Sequence, residues 1–196
     1  ANRRSGTDNR TNLAFYQEEV ERRCGICLSD PLIYEAFTYY EREVLPFKND
    51  DMINAKAMPG AHAALQAVQD AGLRCALFTN PSFPQGAIEC RIGWGELTDA
   101  PFELVTHMGN ATRCKPDATY YLEQLQVMGL EPQEVLMVGN DPKRDFPSPD
   151  CGIQTAYVGQ GKPSRATWRG TMEDFAHNFN AVVEAFYEHQ VAEELT

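Results

Sequence analysis

Apolar positions follow one pattern before about residue 57 and another after it. In the first part, apolar residues three and four positions apart among charged ones predict two helices, at about 13–27 and 31–45. Residues 1–10 are polar without a period and predict a loop, and Pro46 and the polar stretch 48–51 close the module. Each helix is expected to bury one stripe: Phe15, Val20 and Cys24 on the first, and Ile33, Phe37, Tyr40 and Val44 on the second.

From residue 58 helices and strands alternate. Pro59 and Gly72 bracket the first of these helices, as residues at helix ends often do. The alternation predicts an α/β fold: a Rossmann-like parallel sheet flanked by helices at 58–196, with a small α-helical module at 1–57. Helices are predicted at about 60–71, 117–128 and 172–190, and strands at about 73–79, 103–106, 135–138 and 155–158. The last helix is expected to cover a sheet face with Phe175, Phe179, Val182, Val183 and Phe186.

Composition narrows the classes of function. With 196 residues, 43% of them hydrophobic, the chain is long enough for one core and a small accessory module. Its 28 acidic and 17 basic residues give a net charge of −11, which argues against nucleic acid as a partner. No apolar run approaches the roughly 20 residues that span a bilayer. We therefore expect no membrane partner and a cytoplasmic location, and the sequence predicts no oligomeric state.

The six cysteines do not form a metal pattern. Only Cys24 and Cys27 have a spacing that metal or redox sites use, and a zinc site would need a second such pair. We therefore interpret these two as small apolar residues on a helix face. Unpaired thiols are typical of a reducing compartment.

Three polar segments follow predicted strands or open a predicted helix, where reactive groups collect in open parallel sheets. Thr79 and Asn80 end an apolar strand, and a hydroxyl there can donate to a phosphoryl oxygen. Alone, such a pair is also a common turn former.

Lys115 precedes the helix at 117–128, where it can neutralise a carboxylate nucleophile and a phosphate, or be a solvated cation. The apolar positions of that helix are Tyr120, Tyr121, Leu122 and Leu125.

The third segment is an apolar strand that runs into Gly139, Asn140 and Asp141, with Asp145 four residues further on. Oxygen ligands that gather at a strand end suit Mg²⁺, which keeps several waters and takes one or two protein carboxylates. In isolation the same residues would be interpreted as a capped turn. The candidate metal ligands are therefore Asn140, Asp141 and Asp145.

In this order, Thr79-Asn80, Lys115-Pro116-Asp117 and Gly139-Asn140-Asp141 to Asp145 resemble the second, third and fourth motifs of the haloacid dehalogenase (HAD) superfamily. The resemblance covers about 58–159 and is closest to members with a helical cap, which residues 11–48 would supply. It implies Mg²⁺ and an aspartate nucleophile that forms a phospho-enzyme, which water then hydrolyses.

The resemblance also implies a role for each residue. Thr79 would hold the phosphoryl group with Asn80 beside it, and Lys115 would steady the nucleophile and the phosphate. The acidic turn would anchor the metal. Relatives usually have Asp directly after the glycine, where this chain has Asn140 followed by Asp141. Either of these two is therefore the direct ligand, and Asp145 acts directly or through water.

The family's first motif, a strand that ends in Asp-x-Asp, occurs nowhere in the 196 residues. In the family its first carboxylate attacks and its second is the general acid and base. This strand lies in the middle of the sheet, so its loss would leave two neighbours without hydrogen-bond partners. We therefore expect residues ahead of Ala1 to supply it. A second departure is the pair of prolines in 146–152, where relatives have a short helix; a shifted or shorter helix is predicted.

Three functions are consistent with these residues. The first is a magnesium-dependent phosphatase that acts on a small phosphorylated metabolite through an aspartyl-phosphate. The second is a 2-haloacid dehalogenase, which attacks carbon without a metal and leaves the acidic turn unexplained. The third is a non-catalytic HAD-like binding protein, suggested by the missing Asp-x-Asp. Candidates to face the substrate cleft, or to be ordinary helix-surface residues, are Arg22, Arg23, Tyr39 and Tyr40.

Overall fold

The computed structural model describes residues 8–50 and 54–194, without the side chains of 189–194. The chain divides into two compact units, one formed by Ala1–Ala57 and Ala76–Cys114 and the other by Met58–Cys75 and Lys115–Thr196. Most of the loop predicted at 1–10, and Asp51 of the polar stretch, lie outside the described residues. The division into a helical cap at 1–57 and a core at 58–196 stays a prediction.

The first unit begins with helix α1 (Asn12–Cys24). Thr11 caps it, because its side chain accepts a hydrogen bond from the Ala14 N–H at 3.2 Å. The helix ends three residues earlier than predicted, where Gly25 adopts the left-handed conformation with φ 68°. The prediction that Cys24 and Cys27 both occupy a helix face is wrong for Cys27, which lies beyond the helix; Cys24 is the last residue of α1, and both thiols are exposed.

The second predicted helix is divided into three short elements. Helix α2 (Pro31–Tyr39) gives way to a π-helical turn (Tyr40–Val44) and then a 3-10 turn (Leu45–Phe47). The predicted stripe is not buried as a unit, and its exposure begins within α2, before the π turn. Phe37 is 54% exposed and Tyr40 is 45% exposed.

The π and 3-10 turns pack against α4 (Gln85–Trp94), a helix that the sequence pattern did not predict. Gly86 and Gly93 weaken its helical signal. The Trp94 indole N–H donates to the Pro46 carbonyl at 3.0 Å. Strand β1 (Cys75–Leu77) pairs with β2 (Phe102–Val105) in a two-stranded sheet.

The second unit contains a three-stranded parallel sheet in the order β3-β4-β5, as an α/β fold requires. In its register Met137 pairs with Thr155, and Ala156 pairs with Trp168. The strands predicted at 135–138 and 155–158 are confirmed with ends that shift by one residue, whereas β5 was not predicted. The elements are α3 (Ala61–Asp70), α5 (Ala118–Met128), a 3-10 turn (Pro132–Glu134), β3 (Leu136–Gly139), β4 (Gln154–Tyr157), β5 (Trp168–Arg169), α6 (Met172–His177) and α7 (Phe179–Glu194).

The core of this unit lies between the sheet and its C-terminal helices. The predicted apolar stripe is confirmed here, because Phe175, Phe179 and Val182 pack with Ala156 and Val158 of the sheet region. The single helix predicted at 172–190 is two helices, which separate at Asn178. Of the apolar positions on α5, Tyr120, Tyr121 and Leu125 are buried, whereas Leu122 is 41% exposed.

None of the described helices has the length and apolar character that crossing a membrane requires.

Candidate active site

In the first unit, Thr79 follows β1 and is held by Thr106, the residue after β2. The Thr79 N–H donates to the Thr106 hydroxyl oxygen at 2.8 Å, and the Thr79 hydroxyl donates to the Thr106 carbonyl at 2.7 Å. Thr106 is fully buried. The predicted donation from Thr79 to a phosphoryl oxygen therefore requires its hydroxyl to leave the Thr106 carbonyl. Sequence reasoning missed Thr106, although it was the last residue of a predicted strand.

Asn80 lies next in the same loop. Its side-chain oxygen Oδ1 is buried, and no described residue donates a hydrogen bond to it. Buried acceptors of this kind normally have a donor from protein, water or ligand. Asn12, at the start of α1, supports the loop by donating from Nδ2 to the carbonyls of Pro81 at 3.2 Å and Arg113 at 2.9 Å.

In the second unit, Lys115 and Asp145 form a buried ion pair. Lys115 Nζ lies 2.8 Å from Asp145 Oδ1, and the two side chains are only 6% and 8% exposed. Burial lowers the pKa of Lys115 from its ordinary value, and the neighbouring Asp145 carboxylate opposes that change. The other carboxylate oxygen of Asp145 accepts the Asp141 N–H at 2.8 Å. Both oxygens of Asp145 are thus already hydrogen-bonded.

Asp141 is the more accessible carboxylate of the turn, with 37% of its side chain exposed. Its Oδ1 accepts the Lys143 N–H at 2.8 Å, and its Oδ2 lies 3.7 Å from Arg144 Nε. Asn140 is exposed at the start of the same turn. Among the described residues, no group of three or more His, Cys, Asp or Glu side chains could hold a metal ion. The carboxylates of this turn are those of Asp141 and Asp145, and one or two protein carboxylates would be enough for Mg²⁺, which keeps several waters.

Gly139, at the end of β3, leaves space for Asp145. A Cβ atom at this position would lie 2.4 Å from the Asp145 Cβ and 2.5 Å from its carboxylate oxygen Oδ2. No larger residue fits here while Asp145 keeps its place beside Lys115. The glycine is thus a steric requirement of the ion pair.

Tyr121, on α5, contacts the acidic turn from the side. Its hydroxyl donates to the carbonyl oxygen of Arg144, and the side chain is completely buried. Burial raises the pKa of Tyr121 above its ordinary value, which keeps the phenol protonated and able to donate. The sequence pattern marked Tyr121 only as an apolar position. The available signal was that a buried tyrosine hydroxyl needs a hydrogen-bond partner.

The segment 146–152 contains no helix, so the shifted or shorter helix predicted there is wrong. It runs beside the Lys115 loop instead: the Ser148 N–H donates to the Pro116 carbonyl at 2.7 Å. Arg165 holds the segment from the other side by donating to the Pro147 carbonyl at 2.9 Å and the Asp150 carboxylate at 2.8 Å. These contacts replace the hydrogen bonds that a helix would have made internally.

The structure thus brings Lys115, Asp141 and Asp145 together in the second unit, with Asn140 exposed in the same turn. Thr79 and Asn80 belong to the first unit, beside Thr106. The role that each residue was given stays a prediction.

A model of the haloacid dehalogenase-like hydrolase family matches residues 26–148. The match spans more than half of the chain and includes every predicted site residue. The chain belongs to the haloacid dehalogenase-like hydrolases. The resemblance noted from the motifs is therefore confirmed at the level of the family, and the protein is a hydrolase of the HAD superfamily. No curated protein matches the sequence.

Several solved structures share this HAD-like α/β fold. A β-phosphoglucomutase from Clostridium difficile is 15% identical, with a TM-score of 0.59 over 93% of this chain and 79% of that one. A HAD phosphatase from Thermococcus onnurineus is 16% identical, with a TM-score of 0.54 over 90% and 94%. An L-2-haloacid dehalogenase is 15% identical, with a TM-score of 0.56 over 83% and 68%. Identities this low show a common fold and leave the reaction open.

Proposed function

We propose that this HAD hydrolase is a magnesium-dependent phosphatase of small phosphorylated metabolites. The observation that carries the proposal is the buried Lys115–Asp145 pair, which accepts a hydrogen bond from the backbone N–H of Asp141, a residue with an accessible carboxylate. A dehalogenase, which attacks carbon, does not need a cation at an acidic turn. Hydrolysis of a phosphate ester does need positive charge, because negative charge is spread over the phosphoryl oxygens in the transition state.

Lys115 supplies one positive charge at the end of its loop. Held by Asp145, its ammonium group is fixed in place before the substrate binds, so little reorganisation is needed during the reaction. In this proposal Lys115 steadies the attacking carboxylate and the phosphate. Thr79 and Asn80 bind the phosphoryl group.

Asp141 and Asp145 would hold Mg²⁺. Bound there, the ion would neutralise charge on the phosphoryl oxygens. Asp145 already accepts hydrogen bonds on both oxygens, whereas Asp141 is more exposed. We therefore favour Asp141 as the direct ligand and assign Asp145 to contact through water. Asp141 is preferred to Asn140 because Mg²⁺ is usually bound through carboxylates, and the Asn140 amide carries no charge.

The nucleophile in this proposal is the first carboxylate of an Asp-x-Asp strand ahead of Ala1. Its oxygen attacks phosphorus, the phosphoester bond breaks, and the second Asp, as a protonated carboxyl group, gives its proton to the leaving alcohol. Water then hydrolyses the aspartyl-phosphate and releases inorganic phosphate. The substrate is a small phosphomonoester, and nucleic acid and membranes are not proposed as partners.

The test is phosphate release by the full-length natural protein from a panel of phosphomonoesters, with and without Mg²⁺. Lys115→Ala and Asp141→Asn should each lower kcat by on the order of 100-fold, because each removes charge from a preorganised site. The matched controls are Lys162→Ala and Asp99→Asn, which remove the same charges at exposed positions outside the turn and should leave kcat unchanged.

The same assay separates the alternatives. Phosphate release that is independent of metal would contradict the proposal. Chloride release from a 2-haloacid would favour the dehalogenase. Absence of both activities in a protein that lacks an upstream Asp-x-Asp would favour the non-catalytic binding protein.

A further inference from the structure

Asp145 is held through its backbone as well as through its carboxylate. Its N–H donates to the Asp141 carbonyl at 2.9 Å, and its own carbonyl accepts a bond from the Thr155 hydroxyl at 3.4 Å. The peptide group that joins Arg144 to Asp145 is held as well, through the carbonyl oxygen of Arg144. This carbonyl accepts the hydroxyl of Tyr121.

Tyr121 stands on the same helix that follows Lys115. Helix α5 begins at Ala118, three residues after Lys115, and Asp117 caps it by accepting the Thr119 N–H at 2.9 Å. Tyr121 lies in the first turn of that helix. The loop that leads into α5 thus brings an ammonium group to the carboxylate of Asp145, and the first turn of α5 brings a hydroxyl to the peptide that precedes Asp145.

The packing of the Tyr121 ring limits the directions that its hydroxyl can take. The Tyr121 ring is fully buried and meets the Tyr120 ring edge-on, with centroids 5.1 Å apart. A buried ring packed in this way has little rotational freedom, so its hydroxyl keeps one direction. The Arg144 carbonyl is in turn confined by the turn that the Asp141–Asp145 hydrogen bonds close.

We propose that Tyr121 is a positioning residue, which sets the location of the Asp145 carboxylate by holding the Arg144 carbonyl. It contacts neither substrate nor metal and acts through Asp145. The catalytic part of this inference rests on the proposed phosphatase function, whereas the structural part does not. The sequence offers no such role for Tyr121, because its partner lies 23 residues away.

The test compares Tyr121→Phe with Tyr157→Phe in the full-length natural protein. Both substitutions remove only a buried hydroxyl that donates to a backbone carbonyl. Tyr157 is 1% exposed, and its ring packs near that of Phe146, the residue after Asp145, with centroids 6.3 Å apart. Its hydroxyl, however, donates to the Gln160 carbonyl at 2.6 Å, so Tyr157→Phe is a matched control that keeps the ring and removes a hydrogen bond that does not involve residues 141–145.

The first readout is hydrogen exchange of the backbone amides of 141–145 in metal-free protein. Tyr121→Phe should speed exchange at Asp145 by about fivefold, which is the effect of losing one ordinary hydrogen bond. Mg²⁺ binding, measured by calorimetry, should weaken by a similar factor. Tyr157→Phe should leave both quantities unchanged.

The second readout is steady-state kinetics at saturating Mg²⁺. Tyr121→Phe should lower kcat by about tenfold and leave KM for the phosphomonoester within a factor of about two, since misplaced catalytic groups slow the reaction without weakening substrate binding. If the role of Tyr121 were merely structural, Tyr121→Phe would lower the melting temperature but would not lower kcat selectively while KM stays the same.

Unchanged exchange and unchanged Mg²⁺ binding in Tyr121→Phe would overturn the inference. Equal changes in Tyr157→Phe would overturn it too, because they would indicate a general loosening of the core. If the wild-type protein releases no phosphate while Tyr121→Phe still speeds exchange at Asp145, the positioning role stands and the phosphatase proposal fails.

Discussion

At the scale of single residues, the acidic turn depends on Gly139 for space. A Cβ there would lie 2.4 Å from the Asp145 Cβ, so Gly139→Ala must displace Asp145. We expect a loss of about 1–3 kcal/mol in the free energy of unfolding, the usual result of overpacking, and loss of phosphatase activity. Urea denaturation and phosphate release measure the two effects. Gly93→Ala is the control, because nothing lies within 4 Å of its added Cβ; a similar loss there would contradict the steric argument.

The Lys115–Asp145 pair supports a second prediction. Lys115→Met should lower the free energy of unfolding by about 3–5 kcal/mol, since it leaves a buried carboxylate without its counter-charge. Adding Asp145→Asn should recover part of that loss, because the amide carries no charge. Urea denaturation of the two single variants and the double variant forms a complete cycle. Strictly additive losses would mean that the two side chains do not interact.

The ionisation of Asp150 should make the stability of the folded protein depend on pH. Its pKa is lowered mainly by the hydrogen bond from the Gly152 N–H and further by Arg165, while burial partly opposes both. A carboxyl group with a lowered folded-state pKa stabilises the protein above its unfolded pKa of about 3.9, and this stabilisation is lost as pH falls through the folded pKa. Asp150→Asn should therefore lower the melting temperature at pH 6 and have little effect near pH 3. An equal effect at both pH values would contradict this assignment.

At the scale of elements, the start of α3 packs directly on the start of α6. Gly60 has φ 84°, and a Cβ there would lie 2.6 Å from the Glu173 backbone nitrogen. Gly72 has φ 66° with nothing within 4 Å of an added Cβ. Gly72→Ala should therefore lower the free energy of unfolding by about 1 kcal/mol, because alanine disfavours the left-handed conformation. Gly60→Ala should lower the free energy of unfolding by the same amount plus about 1–3 kcal/mol for the clash. Thermal unfolding of both variants checks the difference, and equal losses would remove the clash from the explanation.

At the scale of the whole molecule, the sheet strands form two separate groups. Within the described residues, β1 pairs only with β2. In the other sheet β3 is an edge strand, which pairs with β4 and has no strand partner among the described residues on its other side. A parallel sheet normally has its strand edges paired or covered, and the strand expected ahead of Ala1 from the missing motif would supply such a partner. We predict that the natural protein has an intact mass above 22.0 kDa and that its added residues contain Asp-x-Asp after an apolar strand. A measured mass of 22.0 kDa would contradict this prediction.

The sequence by itself determined the α/β class, the strands β3 and β4, the helices α3 and α5, and the order of the three motifs. Apolar periodicity and turn residues act between close neighbours along the chain, so they can be recognised without coordinates. The same local signals failed at α4, whose glycines hide its helical pattern, and at the π turn after Tyr39.

Only the tertiary structure decided which polar groups meet. Asp145 pairs with Lys115 across 30 residues, and Thr79 is held by Thr106 across 27. In the sequence, nothing distinguishes Tyr121 and Arg165 from ordinary helix and loop residues. The structure shows that they donate hydrogen bonds to the carbonyls of Arg144 and Pro147. Such contacts depend on how whole elements pack, and no short-range pattern along the chain encodes the distance between two side chains that far apart.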